Sequence, residues 1–239
     1  MTRPDGIVMS LIVGFYILGM QGSTTNAKAS SDRYPGKTWS KYTTAEEAGW
    51  STAKLQQARN YSKQIGSAAV LVVYDGAILV DWGNVDQRYL CHSIRKSFLS
   101  ALYGIHIAEG NIDVNKILAE YCIDDDPPLN DKEKQAKVID LLTSRSGVYH
   151  NAASENDAMT HDRPARSSHA PGTHWWYNNW SFNALGTIFA QQTGMEIFKE
   201  FKSQIADPLG MEDFRLEHTF YQREPDRSIH PAYKFRLSA

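Results

Sequence analysis

Residues 67–83, SAAVLVVYDGAILVDWG, constrain the fold of this chain more than any other segment. Two runs rich in β-branched residues flank Asp75-Gly76, a dipeptide that favours the tight turn of a β-hairpin. Because the apolar runs are nearly continuous, we expect both faces of the hairpin to be buried. A hairpin alone is a marginal sheet, so other elements have to cover these strands.

Most of the remaining periodic segments predict helices. We expect helices at 51–66, with Ser51 as a candidate N-cap, at 93–109, and on both sides of Gly194. There are no alternating strand–helix units, and no strand is evident after residue 84. This order predicts an α+β domain in which an antiparallel sheet packs with helices.

The charge balance limits the classes of partner. The 239 residues include 25 Lys and Arg and 27 Asp and Glu, a formal net charge of −2, without a basic run. This composition argues against binding to nucleic acid or to anionic lipid. The 8 histidines lack the spacing of metal ligands on a helix or strand, so we expect neither a metal site nor a cofactor.

The first residues have the order of a secretory signal peptide. MTRPDG contains one Arg, the uncharged run IVMSLIVGFYILGM follows, and Ala27-Lys28-Ala29 matches the small-x-small pattern of a cleavage site. The alternative is an uncleaved anchor, but the run is shorter than the about 20 residues of a membrane span. We therefore expect a signal peptide at 1–29 and a periplasmic or secreted domain at 30–239, without stable membrane insertion after cleavage.

Cys91 and Cys122 are the cysteines of the chain, and export would permit a disulfide between them. A helix over 93–109 would be about 25 Å long, which separates the two thiols unless the chain doubles back. Two buried free thiols are therefore favoured over a disulfide.

A serine followed three residues later by a lysine occurs twice, as Ser51/Lys54 and as Ser93/Lys96. On a helix this spacing places the amine one turn above the hydroxyl, and a lysine that burial has neutralised can accept the serine proton. The helix after Ser51 is rich in Gln, Lys and Arg, whereas the helix after Ser93 is mostly apolar. The catalytic candidates are therefore Ser93 and Lys96, and the alternative is that Ser93 is only an N-cap.

A polar pair that could pass the proton on lies in or near residues 148–178, a stretch without helical or strand period. Tyr-x-Asn begins at Tyr149 and at Tyr177, and Ser-x-Asn begins at Ser154 and at Ser181. The copy in APGTHWWYNNWSFNALG follows a Pro-Gly turn and directly precedes a helix, which favours Tyr177 as part of a rigid site. Its alternative is a packed aromatic residue with an incidental hydrogen bond.

Four motifs in this order resemble the serine β-lactamase and penicillin-binding-protein superfamily: Ser93-x-x-Lys96, LLTSRSGV, PGTHWWYNN and PLGM. The likeness runs from about residue 67 to the end and is greatest to the class C-like branch, which includes esterases and D-Ala-D-Ala peptidases. The resemblance implies a β-lactamase/transpeptidase-like fold and a serine hydrolase.

By this resemblance, Ser93 attacks a carbonyl to form an acyl-enzyme, and Lys96 and Tyr177 share the proton; which of the two is the base stays open. Asn179 would bind the substrate amide and Lys96, and Trp176 is a candidate for substrate contact, the alternative being that it packs under the loop. The expected partner is a small molecule or peptide, either a β-lactam, a D-Ala peptide or a small ester.

The chain departs from the superfamily pattern at its end. A third motif on a late strand, Lys or His followed by Thr or Ser and then Gly, is not found in a strand context. We therefore expect a domain that is incomplete at its C-terminus, with missing strands and little steady-state activity. A penicillin-binding or peptide-binding protein without turnover and an inactive truncated homologue are the alternative functions.

Overall fold

The structure is a computed structural model that describes residues 35–36 and 38–239. The expected signal peptide at 1–29 lies outside these residues. The strands are β1 (Ala69–Tyr74), β2 (Ala77–Gly83), β3 (Tyr89–Leu90), β4 (Thr219–Gln222) and β5 (Ala232–Leu237). The α-helices are α1 (Thr52–Gln64), α2 (Arg95–Ala108), α3 (Val138–Leu142), α4 (Asp157–His161), α5 (Asn179–Thr193) and α6 (Ile197–Phe201), the last continued by a π-helical turn over Lys202–Ala206. None of the helices in the described ranges is long and apolar enough to cross a membrane.

The predicted hairpin is confirmed as β1 and β2, an antiparallel pair in which Tyr74 lies opposite Ala77. Asp75 and Gly76 have φ angles of 45° and 71°, the left-handed region that a two-residue hairpin turn of type I′ requires. Burial on both faces is wrong for β1, which is only half-buried and leaves Tyr74 44% exposed. The physical reason is that the hairpin forms a separate two-stranded sheet and contributes no residue to the main hydrophobic core cluster of the described chain.

A second antiparallel sheet follows residue 84, which corrects the expectation that no strand would be found there. Its strand order is β3-β5-β4, with β5 in the centre. The alternation of β5 turns Tyr233 and Phe235 into the core, both fully buried, and places Lys234 and Arg236 on the opposite face. Two basic residues within a six-residue strand interrupt the apolar pattern, and this interruption concealed the strand. Helices and antiparallel sheets together confirm the α+β class.

The hydrophobic core lies between α2, α5, α6 and the central strand β5. Leu102, Phe189 and Phe235 are fully buried within it, and each such side chain stabilises the fold by about 1.5–3 kcal/mol. The hydroxyl of Tyr103 donates to the carbonyl of Leu185 at 2.8 Å and ties α2 to α5. This packing fixes the beginnings of α2 and α5 relative to each other and to β5.

A buried polar cluster ties the segments around the long loop to the core. One oxygen of Asp125 lies 2.9 Å from His150 Nδ1 and accepts the indole N–H of Trp180 at 2.6 Å. Its other oxygen accepts the backbone N–H of Ile229 at 2.9 Å. Burial opposes ionisation of Asp125, but these hydrogen bonds outweigh it and lower the pKa of the carboxyl to about 2.

Both cysteines are free thiols in the structure. Cys91 is half-buried, whereas Cys122 is exposed, so the expected burial of both thiols is wrong for Cys122. Cys122 lies in a turn with a φ angle of 52°, where the backbone turns its side chain away from the core.

Candidate active site

Ser93 and Lys96 meet at the beginning of α2. Ser93 lies in the turn before the helix and is exposed, whereas Lys96, in the first turn of the helix, is only 8% exposed. Lys96 Nζ lies 3.3 Å from Ser93 Oγ. The Ser93 side chain does not cap α2, whose N-cap position is Ile94. The geometry thus places an accessible hydroxyl beside a buried amine.

The amine of Lys96 also contacts the beginning of α5. Nζ lies 2.5 Å from the hydroxyl of Tyr177 and 2.8 Å from Oδ1 of Asn179. The side chain of Asn178 caps α5 by accepting the backbone N–H of Ser181 at 2.8 Å, which is why the helix begins here. Tyr177 and Asn179, on either side of this cap, are therefore held at a rigid junction.

Burial and neighbouring charge favour the neutral form of Lys96. Burial is the main cause that lowers the pKa of this amine, and the charges of Arg95 and Lys234 add to it, so that the pKa is about 7. No carboxylate in the described part of the chain forms an ion pair with Lys96. At neutral pH a large share of Lys96 is therefore able to accept a proton.

The other serine–lysine pair has none of these properties. The Ser51 hydroxyl accepts the backbone N–H of Lys54 and caps α1, as the sequence predicts. Both side chains are exposed, and no residue of α1 is buried. This pair therefore lacks the burial that the chemistry needs.

Two further residues of the cleft, Ser154 and Lys234, were not predicted as site residues. They line a cavity of about 180 Å³ together with Ser93, Lys96 and Asn179. Lys234 Nζ donates a short hydrogen bond to Ser154 Oγ, and the Asn179 amide donates another to the carbonyl of Ser154. Ser154 does begin one of the Ser-x-Asn patterns, but Lys234 carries no sequence signal because its strand was not recognised.

Arg95 adds its positive charge to that of Lys234 at the wall of this cleft. Its guanidinium is 1% exposed, donates to Asn183 Oδ1 at 3.0 Å and lies 4.3 Å from the ring centre of Tyr233. Burial lowers the pKa of Arg95. The cleft is therefore cationic, which favours substrates or intermediates with negative charge on the groups near Ser93.

Trp176 is not among the residues that line the Ser93 cleft. Its ring packs against Tyr149 with centres 5.5 Å apart, and its backbone N–H donates to the carbonyl of Ser144 at 2.9 Å. Trp180 is fully buried in the core, whereas Trp175 is 57% exposed. Substrate contact by Trp176 stays a prediction.

The described residues contain no cluster of three or more His, Cys, Asp or Glu side chains suited to a metal ion.

Solved structures share this fold at low sequence identity. FmtA from Staphylococcus aureus is 14% identical with a TM-score of 0.57, and the match covers 87% of this chain and 66% of that chain. A class C beta-lactamase is 15% identical with a TM-score of 0.53, covering 76% and 59%. An octameric penicillin-binding protein homologue from Pyrococcus abyssi is 16% identical with a TM-score of 0.55, covering 77% and 53%.

The chain spans about half of the length of several structures that it matches, from 42% to 53% of the chains of four of them. A comparison with curated proteins gives no match. The family model described as Beta-lactamase matches residues 52–236, most of the described chain and all of the cleft. The chain therefore belongs to the Beta-lactamase family, in the superfamily of serine β-lactamases and penicillin-binding proteins.

Proposed function

We propose that the protein is an exported serine hydrolase that cleaves an ester or amide through an acyl-Ser93 intermediate. The observation that supports this most strongly is the set of contacts made by Lys96. One buried amine lies within 3.3 Å of the Ser93 hydroxyl, 2.5 Å of the Tyr177 hydroxyl and 2.8 Å of the Asn179 amide. A nucleophile beside a base that a third group orients is the arrangement of acyl-transfer enzymes.

In the acylation step, neutral Lys96 accepts the proton of Ser93, directly or through the Tyr177 hydroxyl. Ser93 Oγ then forms a bond to the substrate carbonyl carbon, and the carbonyl oxygen becomes an oxyanion. When the tetrahedral intermediate collapses, the bond to the leaving group breaks, and the leaving group takes the proton from Tyr177 or Lys96. Ser93 lies just ahead of the N-terminus of α2, whose dipole favours the oxyanion.

Hydrolysis of the acyl-enzyme reverses these proton transfers. Water gives a proton to the neutral Lys96–Tyr177 pair as it attacks the ester carbonyl, and Ser93 leaves with that proton. Asn179 keeps the amine in place in both steps because its oxygen accepts from Lys96 while its nitrogen is bound to Ser154.

Covalent labelling tests the nucleophile without requiring turnover. The full chain is incubated with a fluorophosphonate, and the added mass and its position are measured by mass spectrometry. We expect one equivalent of label on Ser93 and none in Ser93→Ala. The matched control is Ser51→Ala, which removes the exposed copy of the motif and should leave the labelling rate unchanged. Labelling that persists in Ser93→Ala at the wild-type rate would reject Ser93 as the nucleophile.

We propose three alternative classes of substrate: a β-lactam, a D-Ala peptide or a small ester. The family match and the likeness to a class C beta-lactamase and a penicillin-binding protein homologue support these classes. A burst assay with a chromogenic ester and a chromogenic cephalosporin shows which of these two substrates acylates the protein and whether the acyl-enzyme then turns over. Release of one equivalent followed by a halt would indicate a protein that binds without turnover, whereas continued release would indicate a hydrolase.

Export is proposed from the sequence of residues 1–29 alone. Expression of the full reading frame in a Gram-negative host, followed by N-terminal sequencing of the protein in the periplasm, tests it. We expect a mature chain that begins near Ser30. An uncleaved chain that stays in the cytosol would reject export.

A further inference from the structure

Lys96 and Lys234 are two lysines of one cleft, joined by a chain of hydrogen bonds. Lys96 Nζ donates to Asn179 Oδ1 at 2.8 Å, and the nitrogen of the same amide donates to the carbonyl of Ser154. The hydroxyl of Ser154 accepts from Lys234 Nζ. The two amines thus approach the Ser93 cleft from α2 and from β5, on either side of Asn179 and Ser154.

Ser154 is held in place by each of its polar groups. Besides its bonds to Lys234 and Asn179, its backbone N–H donates to Glu224 Oε1 at 2.8 Å. Its φ angle is 67°, a left-handed conformation that residues with a side chain rarely adopt. The surroundings therefore enforce a conformation that turns the hydroxyl towards the amine of Lys234.

The charged groups around Lys96 are unbalanced in sign. Arg95 on its own helix and Lys234 on β5 are positive, and Tyr177 is the phenol that contacts it. Of the nearby carboxylates, Glu155 pairs with Arg163 and Arg227. Glu224 accepts from Gln222 and from the backbone of Ser154, and its charge raises the pKa of Lys234. Within the described residues, neither lysine has an ion pair with a carboxylate.

We propose that Lys234 is a positioning residue of the acyl-transfer site: its ammonium, held by Ser154, keeps the Lys96 amine free of its proton and ready to accept the proton of Ser93. This inference rests on the proposed function. Lys234 acts through Lys96 and is assigned no contact with the substrate. Its effect is electrostatic, since a positive charge near the buried amine of Lys96 adds to that of Arg95 and disfavours protonation of this amine.

The electrostatic surroundings of the two lysines agree with this role. Burial, and then the charges of Arg95 and Lys234, lower the pKa of Lys96 to about 7. Burial, and then the charge of Arg95, lower the pKa of Lys234 to about 8, while the carboxylate of Glu224 opposes this and favours the charged form of Lys234.

The pH dependence of Ser93 labelling by a fluorophosphonate tests the proposal on the full chain. Lys234→Gln removes the charge and keeps a hydrogen-bond donor for Ser154. We expect the midpoint of the acid limb to rise by about one pH unit, so that labelling slows about fivefold at about pH 7 and recovers at alkaline pH. Lys234→Arg keeps the charge and should keep the midpoint near that of the wild type.

Lys199→Met is the matched control, because Lys199 is an exposed lysine of α6 whose only ion pair is with Glu196 in the described chain. Its midpoint should equal that of the wild type. A purely structural role of Lys234 predicts a slower rate at every pH with an unchanged midpoint, and that result would overturn the proposal. Lys234→Met is the second neutral variant, to be used if circular dichroism shows that Lys234→Gln does not fold, and the same shift is expected of it.

The outcomes separate this inference from the proposed function. Wild-type protein that is not labelled at Ser93 would reject the proposed function and the role of Lys234 together. Wild-type protein that is labelled, with the same midpoint in the neutral Lys234 variants, would reject only the role of Lys234. A shift in Lys234→Arg as large as that in Lys234→Gln would also reject it, because the charge would then not be the cause.

Discussion

Ser93 and Lys96 lie one helical turn apart with their reactive atoms 3.3 Å from each other, yet only one of them is accessible to solvent. Ser93 is exposed to the cleft, whereas Lys96 is 8% exposed. This difference is what a serine nucleophile and a lysine base require, since the hydroxyl has to meet the substrate while the amine has to lose its charge. The same spacing at Ser51 and Lys54 leaves both side chains exposed, with Ser51 serving as a helix cap.

Replacing Lys96 with Met is expected to slow labelling of Ser93 by a factor of about 10²–10⁴, the usual contribution of a general base. Lys54→Met, in the exposed copy of the motif, is the control and should label at the wild-type rate. The second-order rate constant for fluorophosphonate labelling measures both. If Lys96→Met labels as fast as Lys54→Met, Lys96 is not the base.

The labelling rate is expected to rise with pH through a midpoint of about 7, the value to which burial and the charges of Arg95 and Lys234 lower the pKa of Lys96. The sign follows from the role, because the amine accepts the Ser93 proton only after losing its own, which happens above this pKa. Rates measured from about pH 5 to 9 by quenched mass spectrometry test this. A rate that falls with rising pH across this range would contradict a neutral Lys96 as the base.

Tyr177→Phe separates the two candidates for the base. The substitution removes the hydroxyl that lies 2.5 Å from Lys96 Nζ. We expect labelling to slow by roughly tenfold or more, because Lys96 then has to accept the Ser93 proton without the Tyr177 hydroxyl as a relay. Tyr61→Phe changes an exposed tyrosine of α1 and is the control. A midpoint that stays near that of the wild type in Tyr177→Phe would assign the titration to Lys96, whereas loss of the acid limb would assign it to Tyr177.

Asp125→Asn is expected to destabilise the fold by about 2 kcal/mol at neutral pH, because the hydrogen bonds that lower the pKa of this carboxyl stabilise its charged form. The folded-state pKa of Asp125 is lowered to about 2, so its contribution is present above the ordinary pKa of the carboxyl, 3.8, and is lost as pH falls through 2. Urea unfolding at several pH values measures this. The wild type should lose stability between these pH values and the variant much less.

The control for this prediction is Asp162→Asn, which changes an exposed carboxylate paired with the exposed His161. We expect its free energy of unfolding to match that of the wild type within about 0.5 kcal/mol. Equal stability of Asp125→Asn and Asp162→Asn would show that the buried cluster around Asp125 does not hold the loop segments.

Local signals in the sequence predicted several elements correctly. Asp75-Gly76 predicted the hairpin turn, Ser51 predicted the beginning of α1, and Gly194 predicted the end of α5. These features depend on the backbone preferences of one or two residues, so they are expressed wherever the segment lies in the fold. The strand at 232–237 does not follow from its sequence because Lys234, which faces a cleft that only the folded chain creates, and the exposed Arg236 interrupt its apolar pattern.

The sequence by itself determined the α+β class, the hairpin turn and the beginning of α1, and the apolar residues after Ser93 already predicted that Lys96 rather than Lys54 would be buried. The family resemblance named Tyr177 and Asn179 as neighbours of Lys96, but only the tertiary structure decided their distances and added Ser154 and Lys234 to the cleft. Tyr177 and Asn179 are more than 80 residues away along the chain, and Lys234 lies on a strand whose pattern was not recognised. The reason is physical: hydrogen bonds and charges act over a few ångströms in space, and the packing of α2, α5 and β5 brings these groups within that range.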